Sequence, residues 1–499
     1  MSMIKKAACI GGGVIGGAWA ARFVLGGIDT VLHDPHPEAE RIVNEVLANA
    51  ERAYGMLTTA PLPAKGKLTF AASIEEAVAG ADWIQESVPE RLELKRGVLA
   101  RIDEAADPSA LIGSSTSGIL PTDLQRDLQH PERLFVAHPY NPVYLLPLVE
   151  LVGGAKTDRS VLEEARKRLK PIGMQGVILN KEIEGFVGDR LLEALWREAL
   201  WLIKDDICDT ETLDDVIRLS FGMRWAQMGL FETYRIAGGE AGMRHFLAQF
   251  GPCLAWPWSK LTDVVDLDDS LIDKIAGQSD AQSGSRSIRE LERIRDENLV
   301  GIMQALKFAD QGRGWGAGLT LKDFEADLWR VAPAPMRSEE VADPASPLPL
   351  ATFRVQPSWV DYNGHMTEYR YSQCFADSAD ALLRLVGADM AYVEAGHSYY
   401  TVETHVQLIG ECKLGDQLAV TVQLLPSDGR KLHSFFWLRR SSDDKLVATC
   451  EHLMMHVSSA EGRVVPPRPE ITARLKPLIA RHSTLPPPEP VGRHVGQRP

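Results

Sequence analysis

The chain of 499 residues contains 45% apolar and 24% charged residues, a composition typical of a globular protein with several domains. Its formal net charge of −14 argues against a protein that binds nucleic acids or anionic membranes. The six cysteines lack metal-ligand spacing, and we recognise neither a signal peptide nor an apolar run of transmembrane length, so we expect a cytoplasmic protein with reduced thiols and no metal site.

A dinucleotide-binding loop is predicted at the start of the chain. A short apolar strand over residues 4–10 runs into the glycine pattern GxGxxG and then into a helix. Such glycines let the backbone turn tightly and approach a pyrophosphate at the helix N-terminus. The second strand ends at Asp34, where a carboxylate binds the ribose 2′-hydroxyl and repels the 2′-phosphate of NADP. The predicted cofactor is therefore NAD, and the predicted loop contacts are Gly11, Gly12, Gly13, Val14, Ile15 and Gly16.

Helices and strands alternate up to about residue 152, which is typical of an α/β doubly wound parallel sheet. We assign residues 1–180 to a Rossmann-type domain. Ligands bind such sheets at the carboxyl ends of the strands. The polar residues that follow predicted strands in this way are Glu90, Ser115, Thr116, Ser117 and His138.

The stretch from Ser114 to Val152 places two polar side chains within apolar runs. His138 ends the run Leu-Phe-Val-Ala, and Glu150 lies inside Pro-Leu-Val-Glu-Leu-Val. A buried carboxylate is costly without a partner, and a histidine oriented by a carboxylate is an effective proton acceptor near neutral pH. The two residues are thus a candidate catalytic pair. The alternative is two unrelated polar residues, one of them a histidine satisfied in the core.

The remaining chain shows four further predicted segments. An amphipathic helix that starts at Glu182 or shortly after opens an all-helical domain at residues 181–330, which we expect to close the substrate cleft and mediate dimerisation. Residues 331–349, rich in proline, alanine and acidic residues, are predicted to form a linker. Strands around one long helix predict an α+β domain at residues 350–480, and residues 481–499 a disordered tail.

The first two-thirds of the chain resembles the 3-hydroxyacyl-CoA dehydrogenase family. The resemblance rests on GGGVIG, ESVPERLELK, SSTSG, AHPYNPVYLLPLVELV and EGFVGDRLL, which occur in family order. It implies that His138 is the general base, that Glu150 orients it, and that Ser117 helps to hold the substrate oxygen. The predicted cofactor contacts outside the glycine loop and Asp34 are Glu90, Lys95 and Ser115.

Two departures from the acyl-CoA members of this family bear on the substrate. The asparagine expected in the long helix is Asp189 here, and the stretch GMRWAQMGLFET resembles relatives that oxidise free hydroxy acids, such as the lambda-crystallin (L-gulonate dehydrogenase) branch. We therefore expect a free acid whose carboxylate binds Arg224. The alternative is that Arg224 is a structural or surface residue.

A carboxylate near aromatic side chains suits a quaternary ammonium group. We expect Asp189 and Trp225 to bind such a group, and each further aromatic residue of this region is more often a core residue than a ligand. This pattern most resembles the carnitine dehydrogenases and implies oxidation of L-carnitine to 3-dehydrocarnitine. The further aromatic residues are Trp196, Trp201, Phe231 and Tyr234.

The last third of the chain resembles the hotdog-fold thioesterases of the 4-hydroxybenzoyl-CoA type. The resemblance rests on the motif from Trp359 to Met366, which a long helix follows. It implies that Asp361 is the catalytic carboxylate, that the helix N-terminus after Gly364 donates to the thioester oxygen, and that the chain forms a homodimer. The alternative is that Asn363 and Gly364 form only a turn, which Asp361 caps.

Three functions remain open at this point. The fusion resembles carnitine dehydrogenase/betainyl-CoA thioesterases, which implies carnitine and a CoA thioester, betainyl-CoA, as substrates. A second interpretation is a 3-hydroxyacyl-CoA or L-gulonate-type dehydrogenase with a thioesterase of another specificity, and Asp189 argues against an acyl-CoA. A third is a protein without enzymatic activity, or a hotdog domain that only dimerises the chain. The presence of His138, Glu150 and Asp361 argues against this last interpretation.

Overall fold

The computed structural model describes residues 4–58, 60, 62–237, 239–250, 259–260, 266–331, 346–489 and 491–492. The chain divides into two compact units, Met1–Arg330 and Val331–Pro499. Each unit has a hydrophobic core of its own, as expected for a chain of this length.

The first unit is built on one eight-stranded sheet. Along the sheet the strand order is 3-2-1-4-5-6-7-8, and every pair of neighbours is parallel except the sixth and seventh strands, which are antiparallel. The predicted Rossmann-type fold is confirmed, but the sheet is mixed and not entirely parallel. Its strands are β1 Lys6–Ile10, β2 Asp29–His33, β3 Leu68–Phe70, β4 Trp83–Glu86, β5 Leu111–Ser114, β6 Leu134–Pro139, β7 Leu148–Gly153 and β8 Gln175–Ile178.

Six helices connect these strands. The first follows the glycine loop directly, and its Gly16 is buried against that loop. A Cβ atom on Gly16 would lie 1.9 Å from the carbonyl oxygen of Gly11, so this close packing requires glycine. The helices are α1 Val14–Leu25, α2 Ala39–Leu57, α3 Ile74–Val78, α4 Leu92–Ala105, α5 Pro121–Leu124 and α6 Arg159–Leu169.

Seven helices complete the described part of the first unit. The first of them begins at Gly188, later than the predicted start near Glu182. Gly185 and Phe186 have φ values of +68° and +46°, which a right-handed helix does not accommodate. The helices are α7 Gly188–Lys204, α8 Thr210–Val216, α9 Gly222–Ala237, α10 Gly242–Phe250, α11 Asp269–Ser283, α12 Ile288–Lys307 and α13 Gly316–Val331.

The last two of these helices pack with the sheet layer. Met303 on α12 and Phe324 on α13 belong to the same buried cluster as Tyr54 on α2. Asp296 on α12 is also buried and accepts a hydrogen bond of 2.7 Å from the hydroxyl of Tyr144. The segment predicted as one helical domain, residues 181–330, therefore has two parts. The first part has a small buried cluster of its own, formed by Leu200, Ile203 and Leu271.

The second unit is an antiparallel sheet around one long helix. Numbered in chain order, the strands lie along the sheet as 10-13-12-11-9, and strand 14 pairs with strand 13. Apolar residues of the long helix and of the facing strands form one buried cluster, so the predicted hotdog architecture is confirmed. The strands are β9 Leu348–Arg354, β10 His397–Leu408, β11 Gln417–Leu424, β12 Lys431–Arg440, β13 Lys445–Ser458 and β14 Arg463–Val464. The helices are α14 Glu368–Leu385, α15 Met390–Glu394 and α16 Pro469–His482.

The two segments predicted to lack structure differ in outcome. Most of the predicted linker, residues 332–345, lies outside the described residues, and β9 begins at Leu348. The predicted disordered tail, residues 481–499, starts inside α16, which ends at His482. The ring of His482 accepts a hydrogen bond of 2.9 Å from the backbone N–H of Leu424. Beyond it, the Gln423 amide donates to the carbonyl of Pro486 at 3.2 Å. Residues 483–489 therefore lie along the sheet.

Candidate active sites

The glycine loop and Asp34 form a cradle at the ends of β1 and β2. Gly11 has a φ of +102°, and a Cβ there would lie 2.6 Å from the carbonyl oxygen of Ser87. A Cβ on Gly13 would meet nothing within 4 Å, so the outer side of the loop is open. The backbone N–H of Gly12 donates to Oδ2 of Asp34 at 2.6 Å.

The open loop, the exposed start of α1 at Val14 and the carboxylate at the end of β2 fit a dinucleotide. The glycines leave room for a pyrophosphate at the helix N-terminus, and Asp34 lies where the ribose hydroxyls would be. Ile15 lies beside Val14 in the first turn of α1. All seven residues predicted for this part of the cofactor site thus come together at one edge of the sheet.

The predicted cofactor contacts beyond the loop differ in exposure. Glu90 is exposed and accepts hydrogen bonds from the backbone N–H groups of Ser117 and Gly118, at 3.1 and 3.2 Å. Ser115 is half-buried, and its hydroxyl lies 2.9 Å from that of Ser87. Both are near the open edge of the sheet.

Lys95 is buried, in contrast to Glu90. Its ammonium group lies 2.9 Å from Oε1 of Glu86, which is also buried, and donates to the carbonyl of Val88 at 3.0 Å. It lies 3.4 Å from Oε2 of Glu90. Lys95 therefore supports the segment that carries Glu90, and its place in the cofactor site stays a prediction.

His138 and Glu150 face each other across β6 and β7, where they are opposite in the antiparallel register. Nδ1 of His138 lies 2.9 Å from Oε2 of Glu150, and the two residues are 4% and 3% exposed. Burial alone would raise the pKa of Glu150. Hydrogen bonds from His138, from Tyr140 and from the backbone N–H groups of Gly188 and Val187 outweigh burial and lower the pKa below its usual value. Glu150 is thus an ionised partner that fixes the orientation of the imidazole.

Asp189 lies on the other side of the imidazole. Its Oδ2 is 3.6 Å from Nε2 of His138, and its carboxylate also accepts a hydrogen bond from the side chain of Ser117. Burial raises the pKa of Asp189; the nearby imidazole offsets part of this rise, and the charge of Glu150 adds to it. The structure thus brings Ser117, His138, Glu150 and Asp189 together, from four separate elements of the chain.

Arg224 and Trp225 lie on α9. Arg224 is exposed, and the ring of Trp225 contacts that of Phe221 at a centroid distance of 4.6 Å. The rings that contact His138 are instead those of Tyr140 and Phe186, at 5.1 and 5.5 Å. Within the described ranges, no contact connects the two α9 residues with the histidine.

The other predicted aromatic ligands have different neighbours. Trp196 and Phe231 are 55% and 75% exposed. The ring of Trp201 lies beneath the ammonium group of Lys260 at 4.1 Å, and Tyr234 stacks on Phe246 at 4.6 Å. Trp201 also packs against a small buried cluster of Leu200, Ile203 and Leu271, in line with the expected core role. In the described part of the chain, no contact places any of the four rings around Asp189.

Sequence reasoning missed Tyr140. Its hydroxyl donates to Oε2 of Glu150 at 2.9 Å, the oxygen that also faces His138. The signal was available, because residues two apart in an extended strand point to the same face of the sheet. Tyr140 follows His138 by two positions, directly after β6 ends at Pro139, and its hydroxyl reaches the same carboxylate.

Asp361 lies in a tight turn of the second unit. Its Oδ1 accepts hydrogen bonds from the backbone N–H groups of Asn363 at 2.8 Å and His365 at 3.3 Å, and Gly364 has a φ of +79°. Partial burial opposes the effect, but these donors lower the pKa of Asp361. The following helix, α14, has Thr367 as its N-cap and begins at Glu368, so it directly follows the motif, as predicted.

Neither unit shows a metal centre or a membrane segment in its described residues. No group of three or more histidine, cysteine, aspartate or glutamate side chains there could hold a metal ion. Likewise, no described helix is both long and apolar enough to cross a membrane.

Family models match both units of the chain. Residues 6–183 match the 3-hydroxyacyl-CoA dehydrogenase NAD-binding domain, and residues 185–269 match the C-terminal domain of the same family. Residues 355–475 match the thioesterase-like superfamily. NAD as the cofactor of the first unit is thereby confirmed.

A full-length relative decides the family. The protein named L-carnitine dehydrogenase/betainyl-CoA thioesterase from Rhizobium meliloti (strain 1021) is 66% identical over 498 residues, which cover 100% of each chain. The chain belongs to the L-carnitine dehydrogenase/betainyl-CoA thioesterase family. The prediction of a dehydrogenase fused to a thioesterase is confirmed at this level.

Two shorter proteins match only the first part of this L-carnitine dehydrogenase/betainyl-CoA thioesterase family member. L-carnitine dehydrogenase of Pseudomonas putida KT2440 is 49% identical over 311 residues, which cover 62% of this chain and 97% of that protein. The solved structure of 5-formyl-3-hydroxy-2-methylpyridine 4-carboxylic acid 5-dehydrogenase, described as an NAD+-dependent dismutase, has a TM-score of 0.53 and 29% identity and covers 61% of this chain and 99% of that one. The dehydrogenase part therefore also occurs as a separate protein.

Proposed function

We propose that this chain oxidises L-carnitine to 3-dehydrocarnitine with NAD+ and hydrolyses betainyl-CoA at a second site. The observation that carries the first activity is the position of Asp189, whose Oδ2 lies 3.6 Å from Nε2 of His138. The names of the full-length relatives support both activities. The carboxylate of Asp189 beside the candidate base would attract a positively charged substrate, whereas an uncharged substrate would gain nothing from it.

Carnitine matches this arrangement of base and anion. Its hydroxyl oxygen and its quaternary nitrogen are separated by only three bonds, so the two groups must be recognised side by side. We propose that His138 binds the hydroxyl and that Asp189 binds the trimethylammonium group. Charge attraction is strengthened where burial excludes water, and the ring of Tyr140 supplies an aromatic surface near the same place.

In the proposed reaction, Nε2 of His138 takes the hydroxyl proton while the C3–H bond breaks and the C3 carbonyl forms. Bound NAD+ supplies the acceptor for the hydride. The charge of Glu150 stabilises the imidazolium that results, and the proton then passes to solvent. We propose that Ser117, exposed beside this pair, holds the substrate oxygen.

The carboxylate end of carnitine needs a separate cation. We retain Arg224 for this role, because its guanidinium is exposed and matches a carboxylate with two parallel hydrogen bonds. Trp225, the next residue on α9, remains a proposed neighbour of the substrate. Both assignments rest on the family resemblance and the chemistry of the side chains.

We propose Asp361 as the nucleophile or general base of the thioesterase. Two backbone donors hold its Oδ1 and favour the ionised form, which either role requires. Its place in the D-x-N-G-H motif supports the same role. The turn interpretation and the catalytic interpretation are compatible, since the turn orients the carboxylate.

We infer a cytoplasmic homodimer. Among the described strands, the edge strand β10 has 12 residues and pairs on one side only, and Tyr400 and Val402 on it are 55% and 56% exposed. An exposed apolar edge of this kind favours pairing with a second copy. On α7, Leu191 and Leu192 are 57% and 55% exposed, which favours a second contact between subunits.

A substrate panel tests this proposal. The full chain with NAD+ is given L-carnitine, D-carnitine, L-gulonate and 3-hydroxybutyryl-CoA, and NADH formation is followed. The matched control is 3-hydroxy-5,5-dimethylhexanoate, in which a carbon atom replaces the quaternary nitrogen and the shape is kept. We expect L-carnitine to be oxidised far faster than all of the others. Faster oxidation of 3-hydroxybutyryl-CoA, or equal rates for carnitine and its carbon analogue, would overturn the proposal.

A further inference from the structure

Glu150 accepts hydrogen bonds from four donors, of which the dehydrogenase mechanism uses one. Oε2 faces both Nδ1 of His138 and the hydroxyl of Tyr140, each at 2.9 Å. Oε1 accepts from the backbone N–H groups of Val187 and Gly188, each at 3.1 Å. The tyrosine and the imidazole therefore compete for the charge of the same oxygen.

Tyr140 is held in place on two sides. Its ring meets that of His138 at a centroid distance of 5.1 Å and an angle of 62°. A Cβ atom on Gly188 would lie 1.5 Å from the Tyr140 hydroxyl oxygen, so the start of α7 packs directly on this hydroxyl. Burial and the neighbouring charge of Glu150 raise the pKa of Tyr140, which keeps the phenol protonated as a donor.

We propose that the hydroxyl of Tyr140 is a positioning group that sets how readily His138 gives up its proton. It does so by sharing the charge on Oε2 of Glu150. This inference rests on the proposed role of His138 as the base. It extends that role, because it assigns part of the tuning of the pair to a residue that does not touch the reacting atoms.

The direction of the effect follows from the shared oxygen. A carboxylate that accepts a second strong hydrogen bond has less charge available for the imidazole N–H, so the imidazolium is less stabilised. Without the phenol, Glu150 would hold the proton of His138 more firmly. The charged and titratable groups that face the imidazole are Glu150 on β7, Asp189 on α7 and Tyr140 after β6.

The test is Tyr140→Phe in the full chain, with kcat/KM for carnitine measured against pH at saturating NAD+. We expect the acidic limb of the profile to move to higher pH by about 0.5 to 1 unit, because one of two strong donors to Oε2 is lost. Replacement of Tyr140 by 3-fluorotyrosine, which is a stronger hydrogen-bond donor, should move the limb in the opposite direction. If the acidic limbs of both variants coincide with that of the wild-type chain, Tyr140 has only a packing role.

Two controls separate this tuning from a loss of structure. Tyr144→Phe removes another phenol that donates to a buried carboxylate, at 2.7 Å to Asp296, in the same unit, and should leave the limb in place. Hydrolysis of betainyl-CoA by the second unit should be unchanged in the Tyr140→Phe variant. A shifted limb in Tyr144→Phe would show that the profile reports general loosening and would overturn the inference.

The variant His138→Gln distinguishes this inference from the proposed function beneath it. If His138→Gln retains turnover, the base assignment fails, whatever the tyrosine variants do. If His138→Gln is inactive and the tyrosine variants leave the limb in place, only the role of Tyr140 fails.

Discussion

Glu150 and Asp361, the carboxylates proposed for the two active sites, lie in opposite surroundings. Glu150 is 3% exposed, and both of its oxygens accept hydrogen bonds from the same chain. Asp361 lies in a surface turn next to Tyr362, which is 97% exposed. The first site thus surrounds its reactive pair within one unit, whereas the second needs a bound thioester or a further protein surface to exclude water.

The comparison teaches that the two activities can be removed one at a time. Each site is built from residues of one unit, and each unit has its own core. A substitution at one reactive group should therefore leave the other activity unchanged. The loss of the affected activity should be larger where the surroundings hold the reactive group more closely.

The largest expected effect is that of His138→Gln. Removal of a general base costs about 10²- to 10⁴-fold, and a buried, oriented base belongs at the upper end of this range. We expect carnitine oxidation to fall by about 10³-fold or more, while NAD binding and betainyl-CoA hydrolysis persist. Steady-state rates and quenching of tryptophan fluorescence by NAD measure the three quantities. Retained oxidation would contradict the role of His138.

Asp361→Asn should have the next largest effect. Loss of the proposed nucleophile or base should lower the hydrolysis of betainyl-CoA by about 10²-fold, since the backbone donors of the turn remain to support binding. Carnitine oxidation serves as the internal control and should be unchanged. If hydrolysis persists in this variant, the turn at Asn363 and Gly364 is structural only.

A smaller effect than those of the two substitutions is expected in the pH dependence, which should differ between the two activities. The lowered pKa of Asp361 keeps its carboxylate ionised from about pH 5 upward. Between about pH 5 and pH 7, titration of this group should therefore change the rate of hydrolysis by less than about twofold. Carnitine oxidation should fall on the acid side, by about tenfold per pH unit once the base is protonated. Rates measured in one preparation, with buffers of constant ionic strength, give both curves. If the rates of both activities fell over the same acidic pH range, the predicted difference between the two sites would be contradicted.

The residues nearest to the chemistry could be predicted where a local pattern determines their position. The glycine loop, Asp34 and the pair His138 and Glu150 depend on strand ends and on neighbouring strands, and the structure brings each set together. The same logic, extended to the residue two positions after His138 in the extended chain, would have found Tyr140.

The other features could not be predicted, because they depend on tertiary packing, which a local sequence pattern does not specify. Lys95 is buried because Glu86 lies beside it in the folded sheet, and α7 begins late because the chain turns at Phe186. Arg224 and Trp225 lie on α9, which packs mainly against the next helix, α10, and no described contact joins them to His138. Residues 483–489 belong to a proline-rich segment that predicted disorder, yet Gln423 on β11 holds the carbonyl of Pro486.

The central claim is that Asp189 recognises a positive charge beside the base. Its most direct test is the ratio of kcat/KM for L-carnitine to that for 3-hydroxy-5,5-dimethylhexanoate, measured in the wild-type chain and in Asp189→Asn. The ratio cancels any effect of the substitution on His138 itself. We predict that it falls by about 30-fold, or about 2 kcal/mol, as expected for loss of a partly buried ion pair. An unchanged ratio would contradict the account.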